Sequence, residues 1–258
     1  MVLSLAALLP ACSGADEGQQ ENEGLHLPFE VFFHDQPFGC DVELANLGTA
    51  MTSAVPLDFR MFVHDVELVR EGGEREPFVL EDDEVWQRDG LALLDFEDGT
   101  GTCTTGSPEV NRSLRGHAPP RNDYVKVSFT VGLPESKNHL DAATAPAPLN
   151  TPGMWWSWQA GYKYMKVDVA SEANPGGFFF HLGGTNCEGS PTLGYSCQYP
   201  NLPRVELALS ASGRVILNAE TLYAGVDLSL EPDLKTDFIA GCMAFSGDPE
   251  CPAMFAAL

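Results

Sequence analysis

Three of the four tryptophans, Trp155, Trp156 and Trp158, fall in one short segment, "GMWWSWQAGYKY", Gly153 to Tyr164. In an extended chain Trp156 and Trp158 point to one face and Trp155 to the other, where it can pack. Met154, just before them, carries a thioether, which selects reduced soft ions. Six histidines are present, and two have suggestive settings. His139 lies in "ESKNHLDAA", between Asn138 and Asp141. His181 closes the aromatic run "GGFFFHLGG" at a strand end, from which an imidazole can leave the sheet. Imidazole is a borderline ligand that suits copper. His34 and His64 fit strands or turns beside an Asp, and His26 and His117 fit loops.

Three chemistries are open to these residues. Two imidazoles with a soft or weak third donor would make a metal site. Clustered indoles on a β-scaffold could stack sugars, making a carbohydrate-binding or adhesive sandwich. A metal-dependent hydrolase could be built on His139, Asp141 and His181, with Asp141 the only dedicated carboxylate. The sequence has no G-x-S-x-G, H-E-x-x-H or Walker loop, and no G-x-G-x-x-G leading into a helix.

The elements that would hold such a site read as strands. "PFEVFFHD", "LDFRMFVHDVELV", "DYVKVSFTVGL", "YKYMKVDVA", "GGFFFHLGG", "RVELALS" and "GRVILNAE" are β-branched and aromatic, and turn residues bound them. This predicts an all-β sandwich, immunoglobulin-like or related, with long loops and disulfides. Short helices are expected at Pro134 to Leu140 and at Asp233 to Gly241. The 258 residues suffice for one sizeable core. The Ala/Pro loop Asp141 to Gly153 leads stiffly into the tryptophans.

The formal net charge is -23, from 37 acidic and 14 basic residues. That balance repels nucleic-acid phosphates and anionic headgroups. "MVLSLAALLPAC" is a short apolar run ending in a lipobox-like Leu9-Pro10-Ala11-Cys12, although no basic residue precedes it. The expected organisation is a lipoprotein signal over 1–12, a flexible tether over 13–27 and a single domain over 28–258. Cys12 would carry the lipid, the only membrane attachment, on a periplasmic or outer-membrane-anchored protein. The other six cysteines, Cys40, Cys103, Cys187, Cys197, Cys242 and Cys251, should be paired in an exported chain. Cys187 with Cys197 and Cys242 with Cys251 close short loops, which leaves Cys40 with Cys103. No C-x-x-C pair occurs, which argues against a thiolate metal cluster.

Several segments occur in an order that resembles the MbnP-like family, the periplasmic proteins of methanobactin operons. They are "FGCDVELANLGT", "LDFRMFVHDVELV", "ALLDFEDGTGTC", "NRSLRGHAP", "VGLPESKNHLD", "APLNTPGMWWSWQAGYKYMKVD" and "FHLGGTNCEG". The most specific are "NHLD", "MWWSWQAGYK" and "HLGGTNC". The resemblance implies a non-enzymatic copper-binding protein. Its partner would be a dihaem, cytochrome c peroxidase-like enzyme of the MbnH type, which oxidises a tryptophan to kynurenine. It maps the family's M-x-W-x-W pattern onto Met154, Trp156 and Trp158, and the family's histidines onto His139 and His181. Trp156 is the favoured kynurenine position, with Trp158 second. Intact indole offers only a donor N–H, whereas the ring-opened product has an aryl amine with a lone pair. The implied copper ligands are therefore His139, His181 and either the amine or Met154.

Overall fold

The computed structural model describes residues 24–230, 239–245 and 247–258. Alternation builds its first strand, β1 (Leu25–Phe33), in which Leu27, Phe29, Val31 and Phe33 are buried. β1 pairs antiparallel with β4 (Ser113–His117) and parallel with β12 (Val215–Asn218), forming one sheet. It begins at Leu25, inside the segment expected as tether, whose earlier part lies outside the described residues along with Cys12.

The second sheet is organised by β2 (Thr52–Arg70), 19 residues long. Every residue from Asp58 to His64 is buried, so this strand is covered on both faces. Alternation turns Phe59, Met61 and Val63 to one face and Asp58, Arg60 and Phe62 to the other. β3 (Leu91–Asp95), β5 (Tyr124–Val131) and β7 (Gly161–Ser171) all pair antiparallel with β2. β8 (Phe178–Gly183) extends the sheet beyond β7, and β11 (Arg204–Ala208) beyond β5. Phe29 of the first sheet meets Phe129 of the second edge to face, with ring centroids 5.9 Å apart. The two sheets thus close over a core that includes Leu27, Val31, Phe59, Met61 and Val167. This is the all-β sandwich the sequence predicts, and each of the seven expected strand segments is a strand.

Three smaller elements position the site. α1 (Glu135–Asn138) is the short helix expected near Pro134. β6 (Trp155–Ser157) pairs with β7. β9 (Thr185–Ser190) and β10 (Gly194–Tyr199) form a separate hairpin that the sequence reading missed. The hairpin is small-residue-rich and mostly exposed, without the apolar alternation that marks a core strand. The helix expected at Asp233 to Gly241 falls largely outside the described residues. All three expected disulfides are present: Cys40–Cys103, Cys187–Cys197 and Cys242–Cys251.

Candidate metal centre

The face of the second sheet turned away from the sandwich core is polar and still buried. Register aligns Asp95, Arg60, Lys166 and His181 in one row across β3, β2, β7 and β8. Asp58 and Asp168 pair in the adjoining row. Arg60 donates Nε–H to Asp58 Oδ1 at 2.8 Å and makes a second, shorter contact from Nη2 to Oδ2. Lys166 Nζ donates to Asp58 Oδ2 at 2.5 Å and lies 3.4 Å from Asp168 Oδ2. Glu97 Oε1 stands 3.7 Å from Arg60. Asp58, Arg60, Asp95, Glu97, Lys166, Asp168 and His181 are all buried. Burial pushes the Asp95 carboxyl up to about 8, with Arg60 opposing and Glu97 reinforcing the shift. Burial also lowers Lys163 to about 8, helped by the charge of Lys166. Lys163 donates to the Gly153 carbonyl at 2.9 Å, which ties the tryptophan segment over this face.

His181 ends the row. Its Nε2 lies 3.0 Å from Asp168 Oδ1 and 3.1 Å from Oδ2. A carboxylate only accepts, so Nε2 carries the hydrogen, and in the neutral imidazole the lone pair is on Nδ1. That Nδ1 is buried and has no hydrogen-bond partner among the described residues. Trp156 lies beside the imidazole, with centroids 6.2 Å apart, and Phe179 is at 5.4 Å. The Trp156 ring rests on Gly183, where a Cβ would come within 2.4 Å of Cζ3. A glycine at that point lets the indole lie down on β8.

The other tryptophans are arranged differently from the sequence expectation. β6 ends at Ser157, whose Oγ accepts from the Ala160 N–H at 3.1 Å in the turn that follows. Trp158 therefore leaves the extended alternation and does not share a side with Trp156. It meets Trp155 edge to face at 6.0 Å. Trp158 is 43% exposed, while Trp155 and Trp156 are half-buried. The cluster does not present the flat row of exposed rings on which sugars stack.

His139, at the end of α1, is turned toward the hairpin. Its Nδ1 is 3.0 Å from the Trp158 carbonyl, which fixes Nδ1 as the donor. Its Nε2 is 3.2 Å from Asn138 Nδ2 and 3.5 Å from Cys197 Sγ. Asn138 is itself buried and accepts from the Tyr162 N–H at 3.0 Å. Gly161, at φ +77°, permits that approach. Among the described residues, no cluster of three His, Cys or acidic ligand atoms contains both His139 and His181. Met154 is fully enclosed in the hydrophobic core. Asp141 Oδ1 accepts from the Ala143 N–H at 3.0 Å in a turn.

The charged row was missed in the sequence, although "LDFRMF" and "YMKVDVA" carry its signal as Asp-x-Arg and Lys-x-Asp inside apolar strands.

A family model for MbnP matches residues 22–244. The chain belongs to the MbnP family. The solved structure of MbnP from Methylosinus trichosporium is similar at 30% identity and a TM-score of 0.74, with 90% of this chain and 87% of that one covered. No curated protein matches the chain. MbnP membership points to a copper-related accessory role. Among the described residues, no helix is long and apolar enough to cross a membrane.

Proposed function

We propose that the chain is an exported copper-binding protein whose site is built on His181 and the ring-opened product of Trp156. The observation that carries this reading is the buried Nδ1 of His181, which has no partner among the described residues, with Nε2–H held by Asp168 and the Trp156 ring alongside. A histidine whose far nitrogen is fixed by a carboxylate is the usual form of a metal-ligating imidazole. Copper suits this donor set because imidazole and a neutral aryl amine are both borderline nitrogen ligands.

Intact Trp156 cannot take part, since its indole nitrogen only donates. Cleaving the indole C2–C3 bond inserts two oxygen atoms, supplied by two peroxides that leave as two waters. Hydrolysis then releases C2 as formate and leaves an aryl ketone and a free aryl amine. A dihaem, cytochrome c peroxidase-like partner would conduct the electrons. Trp156 is half-buried and can pass electrons outward, and exposed Trp158 is the second candidate for modification. Acylation at Cys12 would anchor the protein, and Cys12→Ala should then release it from the membrane fraction.

The deciding experiment exposes purified protein to the dihaem partner and peroxide, maps tryptic peptides by mass and titrates copper against a chelator. The expected result is ring opening at Trp156 together with a gain in copper affinity. That gain should be lost in Trp156→Phe and in His181→Ala. Unmodified tryptophans after treatment, or equal copper affinity in wild type and His181→Ala, would overturn the reading.

A further inference from the structure

The three disulfides differ in their surroundings. Cys40, Cys103, Cys242 and Cys251 are buried in the body of the protein. Cys187 is buried too, but it faces Cys197 across the mostly exposed β9–β10 hairpin, and Cys197 is half-exposed. Cys187 lines an open surface cavity of about 610 Å³ with Gln159, Asn186, Glu188, Ser196 and Gln198. A second group lies on the other side of the same bond. His139 Nε2 is 3.5 Å from Cys197 Sγ, and its ring stacks on Tyr195 at 4.8 Å. The ligand atoms of His139, Cys187 and Cys197 all lie within 4.8 Å of one another. Because Nδ1–H is committed to the Trp158 carbonyl, Nε2 carries the lone pair, which accepts from the Asn138 amide at 3.2 Å and lies 3.5 Å from Cys197 Sγ.

We propose that the Cys187–Cys197 disulfide is redox-active, and that its reduction by a dithiol creates a second metal site, two thiolates and the His139 imidazole, for a soft monovalent ion such as copper(I). The proposal rests on the copper reading only for the identity of the ion. The surroundings assign the steps. A donor thiolate enters through the cavity and attacks Cys187 Sγ. The disulfide bond breaks and Cys197 leaves as a thiolate beside the Asn138 amide, whose Nδ2 is 3.9 Å from that sulfur. The donor's second thiol then attacks the mixed disulfide, releasing Cys187 and leaving the donor as a disulfide. Two electrons have passed to the protein. Metal binding expels the remaining thiol protons and displaces the Asn138 amide from His139 Nε2. Thiolates favour copper(I) and other soft ions over hard ones. The Cys40–Cys103 bond also has a ligand-type neighbour, Glu97, but all three of these residues are buried.

The test uses protein never exposed to an oxidising partner, so that its indoles are intact and cannot bind metal. Graded dithiothreitol followed by alkylation and peptide mapping should label Cys187 and Cys197 at concentrations that leave the other four cysteines paired. The selectively reduced protein should then bind one additional copper(I) in competition with a chromophoric chelator. A Cys187→Ser/Cys197→Ser double variant should lose that ion entirely. His139→Gln retains a donor for the Trp158 carbonyl and should weaken binding by about tenfold or more through loss of the imidazole. Simultaneous labelling of all three pairs would overturn the redox half. No additional ion after selective reduction, or unchanged affinity in His139→Gln, would overturn the three-ligand site. Repeating the titration in His181→Ala separates the two sites, since the proposed dithiol site should survive a change that abolishes the Trp156 site.

Discussion

The imidazole of His181 and the carboxylate of Asp168 form a closed pair, with Nε2 3.0 Å from one carboxylate oxygen and 3.1 Å from the other, and both side chains are buried. Asp168 therefore acts on the far side of the ring from any ligand. It holds Nε2–H and so fixes the ring orientation and the tautomer that leaves the Nδ1 lone pair free. Asp168→Asn keeps the shape but removes the charge, and its amide can turn a donor toward Nε2. Copper affinity of the oxidised protein should fall by about 10–100-fold, the usual cost of losing such a support. Chelator competition with matched thermal melts checks this. Equal affinity in the variant would mean that Asp168 serves only the buried ionic row.

That row has its own consequence for stability. Asp58 receives both Arg60 and Lys166, and its side chain is completely buried. Asp58→Ala leaves two cations without their shared partner in a dry site. The expected loss is about 3–5 kcal/mol in urea unfolding, far more than for an exposed pair. Glu206→Ala is the comparison, since its partners Arg75 and Lys126 are solvent-exposed, and it should cost no more than about 1 kcal/mol. Similar losses in the two variants would refute the distinction.

Asp95 gives the row a pH dependence. Its folded-state pKa is about 8, well above the ordinary carboxylate value of 3.8, because burial disfavours the anion. The folded state binds the proton more tightly than the unfolded chain does. The contribution is fully present below about pH 4 and is lost as pH rises toward about 8. Asp95→Asn is permanently neutral and should flatten the fall in stability between pH 5 and pH 8. Urea midpoints at those two pH values test this. A wild-type decline that the variant reproduces in full would assign the dependence to other groups.

Much of this was readable in the sequence, in unequal measure. Strand positions followed from alternating apolar residues such as Leu27, Phe29 and Val31. The disulfide pairs followed from two short spacings, which left Cys40 with Cys103. His181 and Trp156 were singled out, and their rings are neighbours. What failed was long-range covering. Asp58, Arg60, Lys166 and Asp168 alternate as they would on a solvated sheet face, and only the apolar residues between them, as in "LDFRMF" and "YMKVDVA", hint that the face is covered. Trp158 was placed with Trp156 on the assumption of a continuous strand, but the Ser157–Ala160 turn ends it. His139 was joined to His181 by order along the chain, whereas its two nitrogens address the Trp158 carbonyl and the hairpin.

The contact between Trp156 and β8 supplies a test of the site that touches no ligand. A Cβ on Gly183 would fall 2.4 Å from Trp156 Cζ3 and 2.9 Å from the Tyr162 carbonyl. Gly183→Ala should therefore push the indole away from His181 and destabilise the fold by about 1–3 kcal/mol, the common cost of overpacking. Tryptophan emission should shift toward that of a wetter indole, and ring opening by the dihaem partner should no longer raise copper affinity. Combining Gly183→Ala with Trp156→Phe separates packing from chemistry. The smaller ring relieves the clash and should recover part of the lost stability, while copper binding stays at the level of untreated protein. Full gain of copper affinity by oxidised Gly183→Ala would show that the ion does not depend on Trp156 lying against His181.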